Sequence, residues 1–153
     1  MPNYIKPTGE QINDMLAMFV PGSVQTTESD AGAADLSHAA VYCDPEGNVV
    51  GTCACDFQLA AGLGASLSMV PPGAVEDMMS SGTLSDIVND NLYEVMNMFS
   101  SLFMSDHSPH LKLTDVVAYG DLPSEAGDGR FESSWFELVA GNYGKGKIQF
   151  SAI

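Results

Sequence analysis

Basic side chains are scarce in this chain: five Lys and Arg stand against twenty Asp and Glu in 153 residues, a formal net charge of −15. A surface so charged repels a polyphosphate backbone and has few cations with which to displace its counterions, so no nucleic-acid partner is expected. Cysteine is nearly absent too. Cys43, Cys53 and Cys55 are odd in number and crowded into one region, which is no basis for the disulfide framework of a small secreted domain, so reduced thiols are expected. Long apolar runs are missing: stretches such as residues 16–20 are far too short to span a bilayer, and no membrane association is expected. Residues 1–6 lack a basic region followed by an apolar run and a cleavage site, so a cytoplasmic address is the default expectation. Metal ligands are equally thin. Cys53 and Cys55, two apart in an expected strand, suit small buried hydrophobes better than a chelate, and Pro109 breaks any helix that would align His107 with His110. The expectation is that the chain has no metal site and no cofactor of its own.

What is present reads as one domain over residues 1–153. Thr8 can cap a helix over about 8–20 with Gln11 completing a capping box; Ile12, Met15, Leu16 and Phe19 recur at helical spacing until Pro21 and Gly22. Residues 23–36 are polar and aperiodic and read as a loop. Residues 39–43 and 49–53 form a hairpin around Pro45 and Gly47, and residues 64–70 read as a third strand ending at Pro71 and Pro72. A short helix over 72–79 and a long one over 83–105 follow. Then come a strand over 110–119, a mobile loop over 120–130, and a hairpin of residues 131–140 and 147–152. The glycines at 62–64 and 141–146 do not lead from a strand into a helix as a phosphate loop must.

The predicted fold class is therefore α+β: two αβββ pseudo-repeats forming a mostly antiparallel sheet, with two long helices packed on one face. The two helices carry Glu, Asn and Phe at equal offsets, Glu10, Asn13 and Phe19 in the first and Glu94, Asn97 and Phe103 in the second.

The long helix carries the chemistry. At about 100° per residue, Leu84, Val88, Leu92, Val95, Met96, Phe99, Leu102 and Phe103 share one arc, while Asp90, Glu94, Asn97 and Ser101 share a narrow strip opposite it. Such a strip is the ordinary solvated face of an amphipathic helix. It is also a rigid rod presenting a carboxylate and a carboxamide one turn apart, with no paired His and no nucleophile. A carboxamide can orient water for attack on a phosphoryl group that another molecule brings, and a carboxylate can pair with that molecule's lysine.

The pattern Asp90-x-x-x-Glu94-x-x-Asn97, with a strand ending Val116-Val117-Ala118-Tyr119-Gly120 beyond it, resembles the CheX, CheC and FliY phosphatases of bacterial chemotaxis, CheX above all. The similarity covers residues 64–122. Met96 stands where relatives usually carry Gly, and Thr114 and Asp115 stand where they carry proline. The resemblance implies a CheC-like fold and a phosphatase acting on an aspartyl-phosphorylated CheY-like response regulator. Asn97 would place the water, Glu94 would bind the regulator's lysine, and Asp90 and Ser101 would contact the partner. Magnesium would belong to the regulator, and the protein would be a homodimer. Glu10 and Asn13 form a candidate second site, or Glu10 is simply an acid favoured in a first helical turn. The alternative function is a non-catalytic binding module of the same fold in a two-component pathway.

Overall fold

The computed structural model describes residues 4–30, 32, 35–127 and 129–153. Residues 1–3, part of the segment read as lacking a leader, and Asp128 of the expected loop lie outside the described residues. Six strands, β1 (Val24–Ser29), β2 (Leu36–Cys43), β3 (Val49–Asp56), β4 (Lys112–Ala118), β5 (Glu132–Ala140) and β6 (Lys145–Ala152), form one sheet in the order β1-β5-β6-β3-β2-β4. Every pairing is antiparallel. Exchanging the first three strands for the last three returns the same order reversed, with β1 and β4 at the two edges.

Four helices accompany the sheet: α1 (Gly9–Ala17), α2 (Phe57–Leu67), α3 (Gly73–Ser81) and α4 (Asp86–Phe99), the last tightening into a 3-10 turn over Ser100–Phe103. Alternation in β5 and β6 sends Phe136, Leu138, Ala140, Ile148, Phe150 and Ala152 to one face, where all are buried. There Phe150 meets Phe99 and Phe103, each at 5.8 Å between ring centroids, so the C-terminal half of α4 is locked to the sheet centre.

The expected α+β class is the one found, but three local expectations are corrected. Residues 23–36 contain β1, an edge strand whose Val24, Gln25, Thr26 and Thr27 are polar or half-exposed and so lack the apolar alternation that marks a strand. Residues 64–70 are not a strand. Residues 64–67 complete α2, a helix so enclosed that Leu59, Ala60, Ala61, Gly62, Leu63, Gly64, Ala65 and Ser66 are all buried, which erases the one-sided pattern that would have revealed it, and a turn follows it. Glycine is required there: a Cβ on Gly64 would lie 2.6 Å from the Val88 carbonyl oxygen of α4, and one on Gly62 2.6 Å from that of Tyr143. Within the loop expected at residues 120–130, 3-10 turns form over Tyr119–Asp121 and Ser124–Gly127. These turns lie over the sheet's other face, where Leu122, Ala126 and Phe131 pack on Val41, Cys43 and Val49. Both predicted long helices are shorter than expected, and α1 has only 9 residues. Neither helix face nor 3-10 turn supplies a membrane span: no helix among the described residues is long and apolar enough to cross one.

Candidate functional site: the outward face of α4

Helix α4 is amphipathic as its sequence demands, with Val88, Leu92, Val95, Met96 and Phe99 buried beneath it. Asp90, Glu94, Asn97 and Ser101 are all exposed on the far side. The carboxylates of Asp90 and Glu94 and the Asn97 carboxamide form no hydrogen bond or ion pair with any described residue, so their full capacity faces solvent. Ser101 differs, because its hydroxyl donates to the Met98 carbonyl at 3.0 Å.

Two polar anchors fix the rod that holds these groups. On the α2 side, Asn91 Nδ2 donates to the Gly64 carbonyl at 2.9 Å and to Ser68 Oγ at 2.7 Å. On the sheet side, the Tyr42 hydroxyl donates to the Met96 carbonyl at 2.6 Å. That bond matters because the Ser100 N–H, at the start of the 3-10 turn, donates to the Asn97 carbonyl instead of reaching back to Met96. The Met96 carbonyl lies inside the core, and Tyr42, fully buried on β2, satisfies it. Burial, chiefly, and the neighbouring Cys53 and Cys55 push the Tyr42 hydroxyl well above its ordinary pKa, so it remains a donor. Met96 itself is wholly buried and leaves the outer strip open.

Beside the strip runs an open groove of about 370 Å³ between α4 and the edge strand β4, lined by Asn89, Asp90, Tyr93, Glu94, Asp115 and Val116. Of these, Asn89, Tyr93, Asp115 and Val116 were not expected as site residues from the sequence. Tyr93 lies at the margin of the polar arc, and the helical wheel could have flagged it. Asp115 could not have been found that way, because its place depends on strand order and on a break in the β2–β4 register at Thr114. Thr114 Oγ1 donates to the Val41 carbonyl at 3.0 Å, and Asp115 Oδ1 accepts from Val116 N–H at 2.8 Å. The side chain of Asp115 thus occupies an edge donor that an incoming strand would need. No basic residue lines this groove.

The candidate second pair lies at the opposite edge, where Gly9, Glu10, Asn13 and residues 24–27 line another hollow. Glu10 is exposed in the first turn of α1, where its charge suits the helix N-terminus. Asn13 is half-buried, and its Oδ1 accepts from the Thr26 hydroxyl at 3.3 Å, so it is less available than Asn97. The structure therefore keeps the two pairs far apart, one at each edge of the sheet.

Among the described residues, no three His, Cys, Asp or Glu side chains come together as a metal site. The three thiols are free and buried. Burial raises Cys53 and Cys55 well above the usual thiol range, which makes them inert packing groups at neutral pH.

No protein-family model and no curated protein matches this sequence. Solved structures do. A chain of the FliG–FliM complex from H. pylori aligns at a TM-score of 0.60 and 8% identity, over 94% of this chain and 85% of the other. The FliM middle domain from H. pylori gives 0.58 and 9%, over 94% and 84%. FliY from Thermotoga maritima gives 0.56 and 16%, over 92% and 81%. At such identities the likeness is one of fold: the chain has an α+β architecture like that of FliY and the FliM middle domain.

Proposed function

We propose that this chain docks an aspartyl-phosphorylated CheY-like response regulator on the outward face of α4 and accelerates loss of its phosphoryl group, as the CheX, CheC and FliY phosphatases do. The observation that carries the reading is the placement of Glu94 and Asn97: one turn apart, exposed, unengaged, on a helix held at Asn91 and Met96 and flanked by a groove. In this reading Glu94 pairs with the regulator's lysine and the Asn97 carboxamide orients a water in line with the aspartyl-phosphate bond. The water oxygen bonds to phosphorus as the bond to the aspartyl oxygen breaks, leaving the regulator's free carboxylate and inorganic phosphate, which keeps both of the water's protons as dihydrogen phosphate. Magnesium, held by the regulator, offsets charge on the phosphoryl oxygens; this chain supplies position only. Asp90, Tyr93 and Asp115 complete an acidic docking surface suited to a basic partner face. A homodimer and a cytoplasmic location belong to the same reading, and light scattering checks the first.

The second reading, a binding module without turnover, is favoured by the likeness to FliM middle domains. Decay of a phosphorylated CheY-like receiver, followed with wild type, Glu94→Ala and Asn97→Ala, separates the two. The phosphatase reading expects acceleration by wild type, a raised KM with Glu94→Ala, and a kcat lowered about 10²-fold or more with Asn97→Ala. Tight binding with no acceleration by wild type selects the binding module instead. Acceleration that Asn97→Ala leaves intact overturns the catalytic assignment.

A further inference from the structure

The sheet face turned away from α4 holds a cleft of about 420 Å³ between strands β3, β5 and β6 and the 3-10 turns that follow β4. Its floor is a row of hydroxyls. Thr52 on β3 pairs with Ser151 on β6, which pairs with Ser133 on β5, so three hydroxyl side chains stand abreast at the inter-strand spacing of about 4.8 Å. Ser133 Oγ and Ser151 Oγ are 2.7 Å apart, and Gln149 Nε2 donates to Ser133 Oγ at 3.2 Å. Thr52 is only 4% exposed, and it lines the floor of the cleft beside Ser151. Apart from Ser124 the walls are apolar side chains, with the rings of Tyr119 and Phe131 among them.

Among the described residues lining the cleft, none is Asp, Glu, Lys, Arg or His, in a chain with twenty Asp and Glu. An ionic ligand would lose its hydration there with no counter-charge, and the net charge of −15 further disfavours anions. Flat apolar walls over a floor of neutral donors and acceptors match a molecule with an apolar ring face and hydroxyls around its rim, and the volume lies within the range of small-molecule sites. We propose that this cleft binds a small, uncharged, hydroxyl-bearing ring of monosaccharide or nucleoside size, with Thr52, Ser133, Gln149 and Ser151 reading its hydroxyls and Tyr119 and Phe131 covering its face. The site lies across the sheet from α4 and does not depend on the receiver reading.

The test is an amide chemical-shift titration of the full chain with glucose, galactose, ribose and adenosine, each to about 10 mM, with glucose 6-phosphate as the charged control. The proposal expects saturable shifts from at least one neutral probe, centred on residues 52, 119, 133, 149 and 151, and weaker binding of the phosphate ester. Thr52→Val keeps the buried shape and should weaken that binding about 5- to 10-fold; Ser133→Ala, at an exposed position, should do the same. No saturable shift from any neutral probe, shifts centred elsewhere, equal binding of the phosphate ester, or affinity unchanged in both variants overturns it.

Discussion

Replacing Gly64 by alanine sets two effects of opposite sign against each other. In an exposed helix the change would stabilise by about 1 kcal/mol, since glycine is the poorer helix former. In α2 the added Cβ falls 2.6 Å from the Val88 carbonyl oxygen and 2.8 Å from Val88 Cγ1, whereas ordinary contact begins near 3.4 Å. Neither neighbour can swing away, because one is backbone and the other a β-branched side chain packed in the core. Helices α2 and α4 must separate by several tenths of an ångström, an overpacking cost of about 1–3 kcal/mol. The same separation stretches the Asn91 bonds to Gly64 and Ser68, at about 1 kcal/mol. The net expectation is a loss of about 1–3 kcal/mol, read as a lower urea midpoint at unchanged slope. Gly73→Ala is the control: it opens α3, nothing lies within 4 Å of the added carbon, and its stability should stay within about 1 kcal/mol of wild type. If Gly64→Ala is as stable as Gly73→Ala, the close packing of α2 against α4 is wrong.

Tyr42→Phe removes the hydroxyl that satisfies the Met96 carbonyl and should cost about 1–3 kcal/mol by thermal or urea unfolding; under the proposed phosphatase reading it should also lower kcat more than it raises KM, since it loosens the turn that carries Asn97. His38, half-buried beside the Phe57 ring with Ser37 Oγ 2.8 Å from its Nδ1, has its pKa lowered by burial. The unfolded chain then takes up a proton more readily than the folded one. The stability His38 contributes is whole above its unfolded pKa of about 6.5 and is lost as pH falls below it, so His38→Gln should flatten the unfolding free energy between about pH 7 and 5. An unchanged slope would refute this. Asn97→Ala should leave the unfolding free energy within about 0.5 kcal/mol of wild type, since Asn97 is exposed, while under the proposed phosphatase reading it abolishes most turnover.

What could be read from the sequence depended on whether the local signal survived tertiary burial. The capping box at the start of α1 is local, and Thr8 and Gln11 exchange both of its hydrogen bonds, at 2.9 and 3.2 Å. The turn between β2 and β3 is local too, with Asp44 Oδ1 accepting from the N–H groups of Glu46 and Asn48. The two faces of α4 followed from periodicity alone, which is why the exposure of Asp90, Glu94, Asn97 and Ser101 was legible. Helix α2 was not, because burial on every side leaves no polar face to set a period, and its small residues imitate a strand. Strand β1 failed for the opposite reason: a polar edge strand is recognised only by its pairing with β5. The groove belonged to the same blind spot, since Asp115 meets Glu94 only through the placing of β4 at the sheet edge.

The claim common to both functional readings is that a partner seats on α4 and β4. The most direct measurement is an amide chemical-shift map of this protein titrated with a CheY-like receiver held in its active form by magnesium and beryllofluoride. The account predicts shifts concentrated at Asp90, Tyr93, Glu94, Asn97 and Ser101 and at Asp115 and Val116 on the neighbouring strand. Shifts confined to α1 and β1, or to the opposite face of the sheet, would contradict it.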